Sequence, residues 1–428
     1  MKKYYLVQNA IVRKESFGVI VLLRNGARFS FAQKYFDIIK SCTGQSLEYI
    51  KSNTKLEENE ILDFLKLALE KHIIQDKPPK SIGKIIETDV FVENSLISPR
   101  FVALEITQKC NLKCKHCYTS SKATNYKFLS KKAVFSLIDD LSTFGTEFIA
   151  IGGGEPILYP YIYEVIDYAT SKNIEIELVS NGTLLTEETL KKLKDAGLKY
   201  LQISLDGESK ETYRKIRGVD CFSQVVDNIN KATALFNVSV SAVLCKPNYE
   251  HIYEIAKIAE NANADSFRVL RLMSVGRGEE NNDELQITNE MFGKFLNSLP
   301  EKQKEFKIKI RIDENMLSNF SRKKIPWLKD GLFGCSAGRS TIGIDPLGNV
   351  YPCSFLHYDE LTCGNISEKS IMEIWRHSPI LSKFRNINSL EGKCAGCSFK
   401  NNCLGGCRAL AYSATRKING EDASCHIK

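Results

Sequence analysis

No apolar run in the 428 residues approaches the roughly 20 residues that a bilayer span requires. The opening stretch, MKKYYLVQNAIVRKE, has two lysines but no long apolar stretch behind them, so it is not a secretory signal. The expectation is a cytoplasmic protein with no membrane partner. Concentrated charge is also missing. The 59 Lys and Arg exceed the 51 Asp and Glu by only 8, spread along the chain. A nucleic-acid binder gathers its positive charge on one face, so no nucleic-acid partner is expected.

Cysteine, by contrast, is abundant, with fourteen residues. Cytoplasmic thiols stay reduced, and grouped reduced thiols point to metal. Cys110, Cys114 and Cys117 form one group. Cys335, Cys353, Cys394, Cys397, Cys403, Cys407 and Cys425 form a second. Cys42, Cys221, Cys245 and Cys363 stand alone, and the first three read as small buried hydrophobes.

A chain of this length holds two or three domains. In residues 1–80, FGVIVLLRNGARFSFA reads as two strands around Asn25-Gly26, a hairpin signal. FAQKYFDIIKSC and LEENEILDFLKLALEKHII carry helical spacing. In the second, Ile61, Phe64, Leu65, Ala68, Leu69 and Ile73 share one face. This is a winged-helix-like α+β domain, followed by the polar linker QDKPPKSIG over 75–83. Residues 98–310 begin as alternating strands and helices, from RFVALEIT to ADSFRVLRL, in about six repeats. The stretch after 270 is charged and mixed, with a strand at FKIKIRI. The fold class is α/β, a partial (β/α)6 barrel, whose site is expected at the carboxyl ends of its strands. Residues 311–428 are rich in turns and cysteine, as a metal-folded iron–sulfur domain would be.

The first group reads C-x3-C-x2-C and follows the first barrel strand. Each iron of a [4Fe–4S] cubane wants one outside ligand. Three thiolates therefore leave one iron open, as catalytic zinc sites leave one position open. A zinc site would need a fourth ligand, and His116 lies inside the motif. The spacing resembles the signature of radical S-adenosylmethionine enzymes. His116 stands where that family usually has an aromatic residue, and Tyr118 follows. The resemblance implies a cluster on Cys110, Cys114 and Cys117, with the cosubstrate on the open iron and cleaved to a 5′-deoxyadenosyl radical. It also implies that Gly153, Gly154 and Glu155 of GGGEP meet the cosubstrate's ammonium. Ser180 and Asn181 of VSNGTL, with Ser204 and Asp206 of ISLDG, become candidates for its ribose and methionine part. Each of these four also reads as a cap or turn residue. Arg217 of RKIRG reads as a surface residue, with the cosubstrate carboxylate as its other possible partner.

CAGCSFKNNCLGGC alone could be a four-cysteine zinc ribbon. All seven later cysteines together resemble the SPASM domain, which carries two auxiliary [4Fe–4S] clusters. That resemblance places Cys394, Cys397, Cys403 and Cys425 on the outer cluster and Cys335, Cys353 and Cys407 on the inner one. The inner cluster then has an open iron, the preferred reading, or Cys363 as its fourth ligand. The cofactors implied are three [4Fe–4S] clusters and S-adenosyl-L-methionine, reduced by an external flavodoxin- or ferredoxin-type donor.

The N-terminal unit resembles the PqqD-like recognition element of ribosomal-peptide maturation systems, where a leader peptide adds a strand to a sheet edge. A DNA-binding winged helix would want a basic recognition helix. Residues 57–73 instead carry Glu57, Glu58, Glu60, Asp63 and Glu70 against Lys66 and Lys71. The expected function is a radical maturase of a precursor peptide, bound through its leader. A thioether is the first choice of product and a carbon–carbon link the second. Enzymes acting on tetrapyrrole side chains share the tail GGCRALAYSATRKINGEDASC, and sulfatase-maturating enzymes share the clusters. Neither usually carries the N-terminal unit. An iron–sulfur electron carrier would want every iron ligated.

Overall fold

The computed structural model describes residues 2–23, 27–88, 90–124, 126–312, 334–423 and 425. The Asn25-Gly26 turn lies outside them. Its flanking strands, β3 (Gly18–Leu22) and β4 (Arg28–Phe31), do pair antiparallel as a hairpin. The N-terminal unit opens with β1 (Lys3–Leu6) and β2 (Ile11–Glu15). After β4 come α1 (Phe36–Ser41), β5 (Thr43–Ser46), α2 (Leu47–Ser52), α3 (Glu58–Glu70) and β6 (Ile74–Gln75). On α3 the predicted apolar face is buried through Ile61, Phe64, Leu65 and Ala68.

The linker does not leave this unit on a free tether. β7 (Lys84–Ile86) pairs parallel with β2, giving the sheet order β4-β3-β2-β7. A second sheet has the order β5-β1-β6. Arg13 and Glu15 of β2 are both fully buried. Arg13 donates to Glu15 at 2.9 Å, to the Gly145 carbonyl at 3.1 Å and to the Ser98 carbonyl at 3.1 Å. Glu15 accepts from the Ile97 amide at 2.8 Å. A buried ion pair is tolerated only when such bonds answer its lost hydration. Here they fasten the unit to the barrel.

The barrel runs β8 (Phe101–Thr107), α4 (Lys131–Thr143), β9 (Phe148–Gly153), α5 (Ile162–Ser171), β10 (Glu175–Ser180), α6 (Glu187–Asp195) and β11 (Tyr200–Ser204). It continues with α7 (Lys210–Arg217), α8 (Phe222–Thr233), β12 (Asn237–Leu244), α9 (Ile252–Asn261) and β13 (Ser266–Arg271). Then follow α10 (Arg277–Glu280), α11 (Asn282–Leu285), α12 (Asn289–Lys302) and β14 (Lys309–Ile312). The six expected strands, β8 to β13, are parallel neighbours, and β14 adds a seventh beside β13. Val102, Leu104 and Ile106 of β8 join the core under the helices. Strand alternation therefore turns Glu105 to the barrel interior.

The C-terminal unit comprises β15 (Thr341–Ile344), β16 (Asn349–Tyr351), β17 (Gly364–Asn365), α13 (Ile371–His377), α14 (Pro379–Arg385), α15 (Lys400–Cys403) and α16 (Arg408–Thr415). β15 pairs parallel with β8, so this unit extends the barrel sheet. Cys42 and Cys245 are buried as expected, whereas Cys221 is only half-buried at the start of α8.

Candidate active site at the strand ends

The loop that carries Cys110, Cys114 and Cys117 leaves the carboxyl end of β8. The GGGEP turn after β9 lies directly against it. The Gly154 amide donates to Thr107 O and the Glu155 amide to Lys109 O, both at 2.7 Å. A Cβ on Gly154 would sit 2.1 Å from Lys109 O, so only glycine permits this approach. From the far side, Arg277 clamps the loop. Its Nε donates to Cys114 O at 2.8 Å, its Nη1 to Ser121 O at 2.9 Å, and its backbone amide to Cys117 O at 3.0 Å. Sequence reasoning missed Arg277, because the charged stretch after β13 has no periodicity.

The three thiols pack together with Leu112. Donors converge on them. The Leu112 amide lies 3.4 Å and Asn181 Nδ2 3.9 Å from Cys110 Sγ, and Arg217 Nη1 lies 3.6 Å from Cys114 Sγ. Burial pushes the free Cys110 thiol up to about 11, so thiolates here need a compensating cation. Three soft ligands in a donor-lined cradle fit an iron–sulfur cluster.

Arg217 is not at the surface. It is buried at the end of α7, and its Nε lies 2.6 Å from Asp206 Oδ2 as an ion pair. Asp206 also accepts from His116 Nε2 at 2.7 Å and from the Val243 amide at 2.8 Å. The Arg217 guanidinium and His116 beside it hold its carboxyl well below the usual range, against its burial. Both Asp206 oxygens are therefore engaged beneath the loop.

The other predicted cofactor residues cluster nearby. Glu155 is fully buried and accepts from Ser180 Oγ and the Asn181 amide, both at 2.8 Å. Burial raises its carboxyl to about 7. Asn181 also bonds Asn111 at 2.9 Å. Ser204 is half-buried at the end of β11, on the interior face.

In the C-terminal unit, Cys335, Cys353 and Cys407 share one small core with Leu356, Phe384 and Tyr412. Cys403 and Cys425 lie close enough to Cys394 to act on its charge. Cys363 belongs instead to the barrel-side core that includes Ile344 and Trp375. Its Sγ lies 3.5 Å from the carbonyl of Leu361, a residue of the inner three's core. The segment WLKDGLF before Cys335, residues 327–333, lies outside the described residues.

A second feature without a sequence motif faces the barrel interior. Glu105 Oε1 and His357 Nε2 lie 3.5 Å apart, and neither of these two atoms has a hydrogen-bond partner among the described residues, though the Glu105 carboxyl also meets the Tyr118 hydroxyl. Burial raises the Glu105 carboxyl well above its ordinary value, while Tyr118 lowers it. Burial pushes the His357 imidazole down to about 4. Burial thus favours the neutral form of each group. His357 stacks on Tyr351 at 4.5 Å.

A parallel barrel with a three-thiol loop at its mouth and a cysteine-rich appendage defines a radical S-adenosylmethionine enzyme. Residues 104–259 match the radical SAM superfamily profile, and residues 335–398 match the SPASM iron–sulfur cluster-binding domain. The AdoMet-dependent heme synthase of Methanosarcina barkeri is 30% identical over 77% of this chain and 96% of its own. The mycofactocin maturase MftC of Mycolicibacterium smegmatis is 31% identical over 78% and 84%. Streptococcus suis SuiB, solved with the precursor peptide SuiA, aligns over all of both chains with a TM-score of 0.77 at 17% identity, which is likeness of fold. The chain belongs to the radical SAM superfamily and carries a SPASM domain; it is an iron–sulfur enzyme that uses S-adenosylmethionine. No helix among the described residues is long and apolar enough to cross a membrane.

Proposed function

We propose that this enzyme matures a ribosomally made precursor peptide in the cytoplasm, closing a thioether or, as second choice, a carbon–carbon link. Residues 1–80 receive the leader, 98–310 form the barrel around the reacting segment, and 311–428 hold two auxiliary clusters. Cys110, Cys114 and Cys117 hold the first cluster. Cys394, Cys397, Cys403 and Cys425 hold the outer auxiliary one, and Cys335, Cys353 and Cys407 the inner one with an open iron. When bound, the first cluster and S-adenosylmethionine supply the 5′-deoxyadenosyl radical that abstracts a hydrogen atom. The electron comes from an external flavodoxin- or ferredoxin-type donor.

The observation that carries this reading is the N-terminal unit itself. β4 is the last strand of its sheet, and α3 runs beside it. Phe31 of β4 meets Phe64 of α3 edge-on at 5.1 Å, and Tyr35 stacks on Phe64 at 4.4 Å. Leu62 and Leu67 remain exposed on α3. A leader strand docking beside β4 and α3 would meet the Phe31, Tyr35 and Phe64 cluster, with Leu62 and Leu67 as exposed apolar positions on the two flanks of α3. Acidic residues on α3 favour a basic leader. Arg13 and Glu15 fasten this dock to the segments that lead into β8 and β9.

Inside the barrel, Glu105 Oε1 and His357 Nε2 lie side by side without hydrogen-bond partners among the described residues, two polar atoms that a bound peptide amide could meet. Such a pair suits a peptide amide, which offers one acceptor and one donor. A tetrapyrrole's carboxylates would call for free cations. One interior cation, Arg268, is already bonded to Gln202 at 2.6 Å and Glu177 at 3.2 Å. The tetrapyrrole reading keeps one support, the similarity to heme synthases.

The test uses the full chain, reduced and anaerobically reconstituted, with a neighbouring cysteine-bearing peptide. A crosslink appears as the loss of two hydrogen atoms in mass. Leu62→Glu with Leu67→Glu should weaken leader binding, of about −8 kcal/mol if micromolar, by tenfold or more. Cleavage of the cosubstrate should be unchanged. Unaltered peptide processing in this variant would move the tetrapyrrole reading ahead. Deleting the unit is a poor test, because it would strip Gly145, Ser98 and Ile97 of their bonds to Arg13 and Glu15.

A further inference from the structure

We propose that Arg217 and Asp206 set the reduction potential of the cluster on Cys110, Cys114 and Cys117, acting as positioning residues through the Cys114 sulfur. This rests on the three-thiolate reading above, which iron content tests separately.

The side chains of Arg217 and Asp206 are 6% and 0% exposed. Arg217 Nη1 points at Cys114 Sγ from 3.6 Å, while Nε faces Asp206. Asp206 is in turn held by His116 and the Val243 amide, and Asn248 Nδ2 donates to its carbonyl at 2.9 Å. The order is therefore sulfur, cation, anion, with each member fixed by the next.

A brace for the loop is the plainer reading, but the loop is already braced through its backbone. Arg277 holds the carbonyls of Cys114 and Cys117, and the Lys115 amide donates to Ile216 O at 2.9 Å. Arg217 instead directs its free end at a sulfur. A cysteine sulfur on iron gains negative charge when its cluster is reduced. A buried cation and N–H donor beside it favour the reduced form and raise the potential, whereas a buried anion lowers it. In a buried setting these charges are little screened.

The experiment is an anaerobic redox titration followed by electron paramagnetic resonance. It is read on the signal that changes when S-adenosylmethionine is added, which separates the first cluster from the auxiliary ones. Arg217→Gln should shift the midpoint to lower potential, and Asp206→Asn should shift it to higher potential. Arg217→Lys, which keeps the charge, should lie nearer to the parent than Arg217→Gln. Opposite shifts at unchanged iron content support the proposal, because a purely structural pair would move both variants alike. Shifts of the same sign, or none, would overturn it. If Arg217→Gln alone loses iron, the Lys and Asn variants carry the test. Iron loss in all three would leave the pair a structural brace and would also overturn it.

Discussion

Cys110, Cys114 and Cys117 ride on a loop bonded to the turn after β9, to the end of α7 and to the start of α10. Cys394, Cys397 and Cys403 sit on a segment whose backbone bonds run mostly to its own near neighbours. The Cys397 amide reaches Cys394 O and the Cys403 amide reaches Phe399 O. Between Cys403 and Cys407, Leu404, Gly405 and Gly406 all have positive φ. For Leu404 that conformation costs roughly 1–2 kcal/mol. The segment's longer ties run to the chain's own tail: Asp422 accepts from the Cys407 amide at 2.8 Å, Arg408 donates to Ile418 O and Gly420 O, and the Glu391 amide donates to Asn419 O at 3.0 Å. The first group is thus shaped by the protein before any metal binds. The second is a strained segment that metal ligation would have to hold.

The largest test of that contrast is iron removal. Chelation under anaerobic conditions should strip residues 390–425 of hydrogen-exchange protection while β8 and β9 keep theirs, since binding energy of a structural metal is folding energy. Uniform loss of protection along the chain would break the comparison.

Gly154→Ala attacks the protein-shaped loop directly. Its Cβ would meet Lys109 O, a backbone atom that cannot swing away. The expected cost is about 3 kcal/mol, measured as a lower denaturant midpoint, together with loss of cosubstrate binding. Arg277→Ala should do less, about 2 kcal/mol, because two side-chain bonds are lost while its amide still reaches Cys117 O. Cosubstrate cleavage should fall while exchange in residues 390–425 stays unchanged. Equal loosening of both regions would show that the two cysteine groups are not held independently.

Much of this was legible in the sequence. The alternation of apolar strands with amphipathic helices gave the six parallel strands, because that periodicity is the burial pattern itself. The three-cysteine loop fell where a strand-end site belongs. Arg217 was misplaced because α7, KETYRKIR, has only Tyr213 and Ile216 as large apolar anchors and does not read as a helix. Its buried arginine is satisfied by Asp206 and Cys114, partners far away in sequence. Glu105 and His357 come from units more than two hundred residues apart and meet only because β15 joins β8. The linker's return as β7 was invisible for the same reason: its partner β2 lies far upstream.

The smallest expected effect concerns Cys363, the cysteine that could blur the contrast by joining the inner cluster. It is 9% exposed and packs in the core that includes Trp375, whereas Cys335, Cys353 and Cys407 pack in another. Burial pushes its thiol up to about 12, and Ser378 and Arg385 pull against that. A neutral thiol in an apolar wall behaves as a small hydrophobe. Cys363→Ala should therefore cost only about 1 kcal/mol, as for loss of one buried methyl-sized group. Iron per chain should equal that of the parent protein. Loss of about four irons, one cubane's worth, would make Cys363 a ligand. The inner cluster would then be closed, and a thioether formed at an open iron would give way to a carbon–carbon link as the expected product.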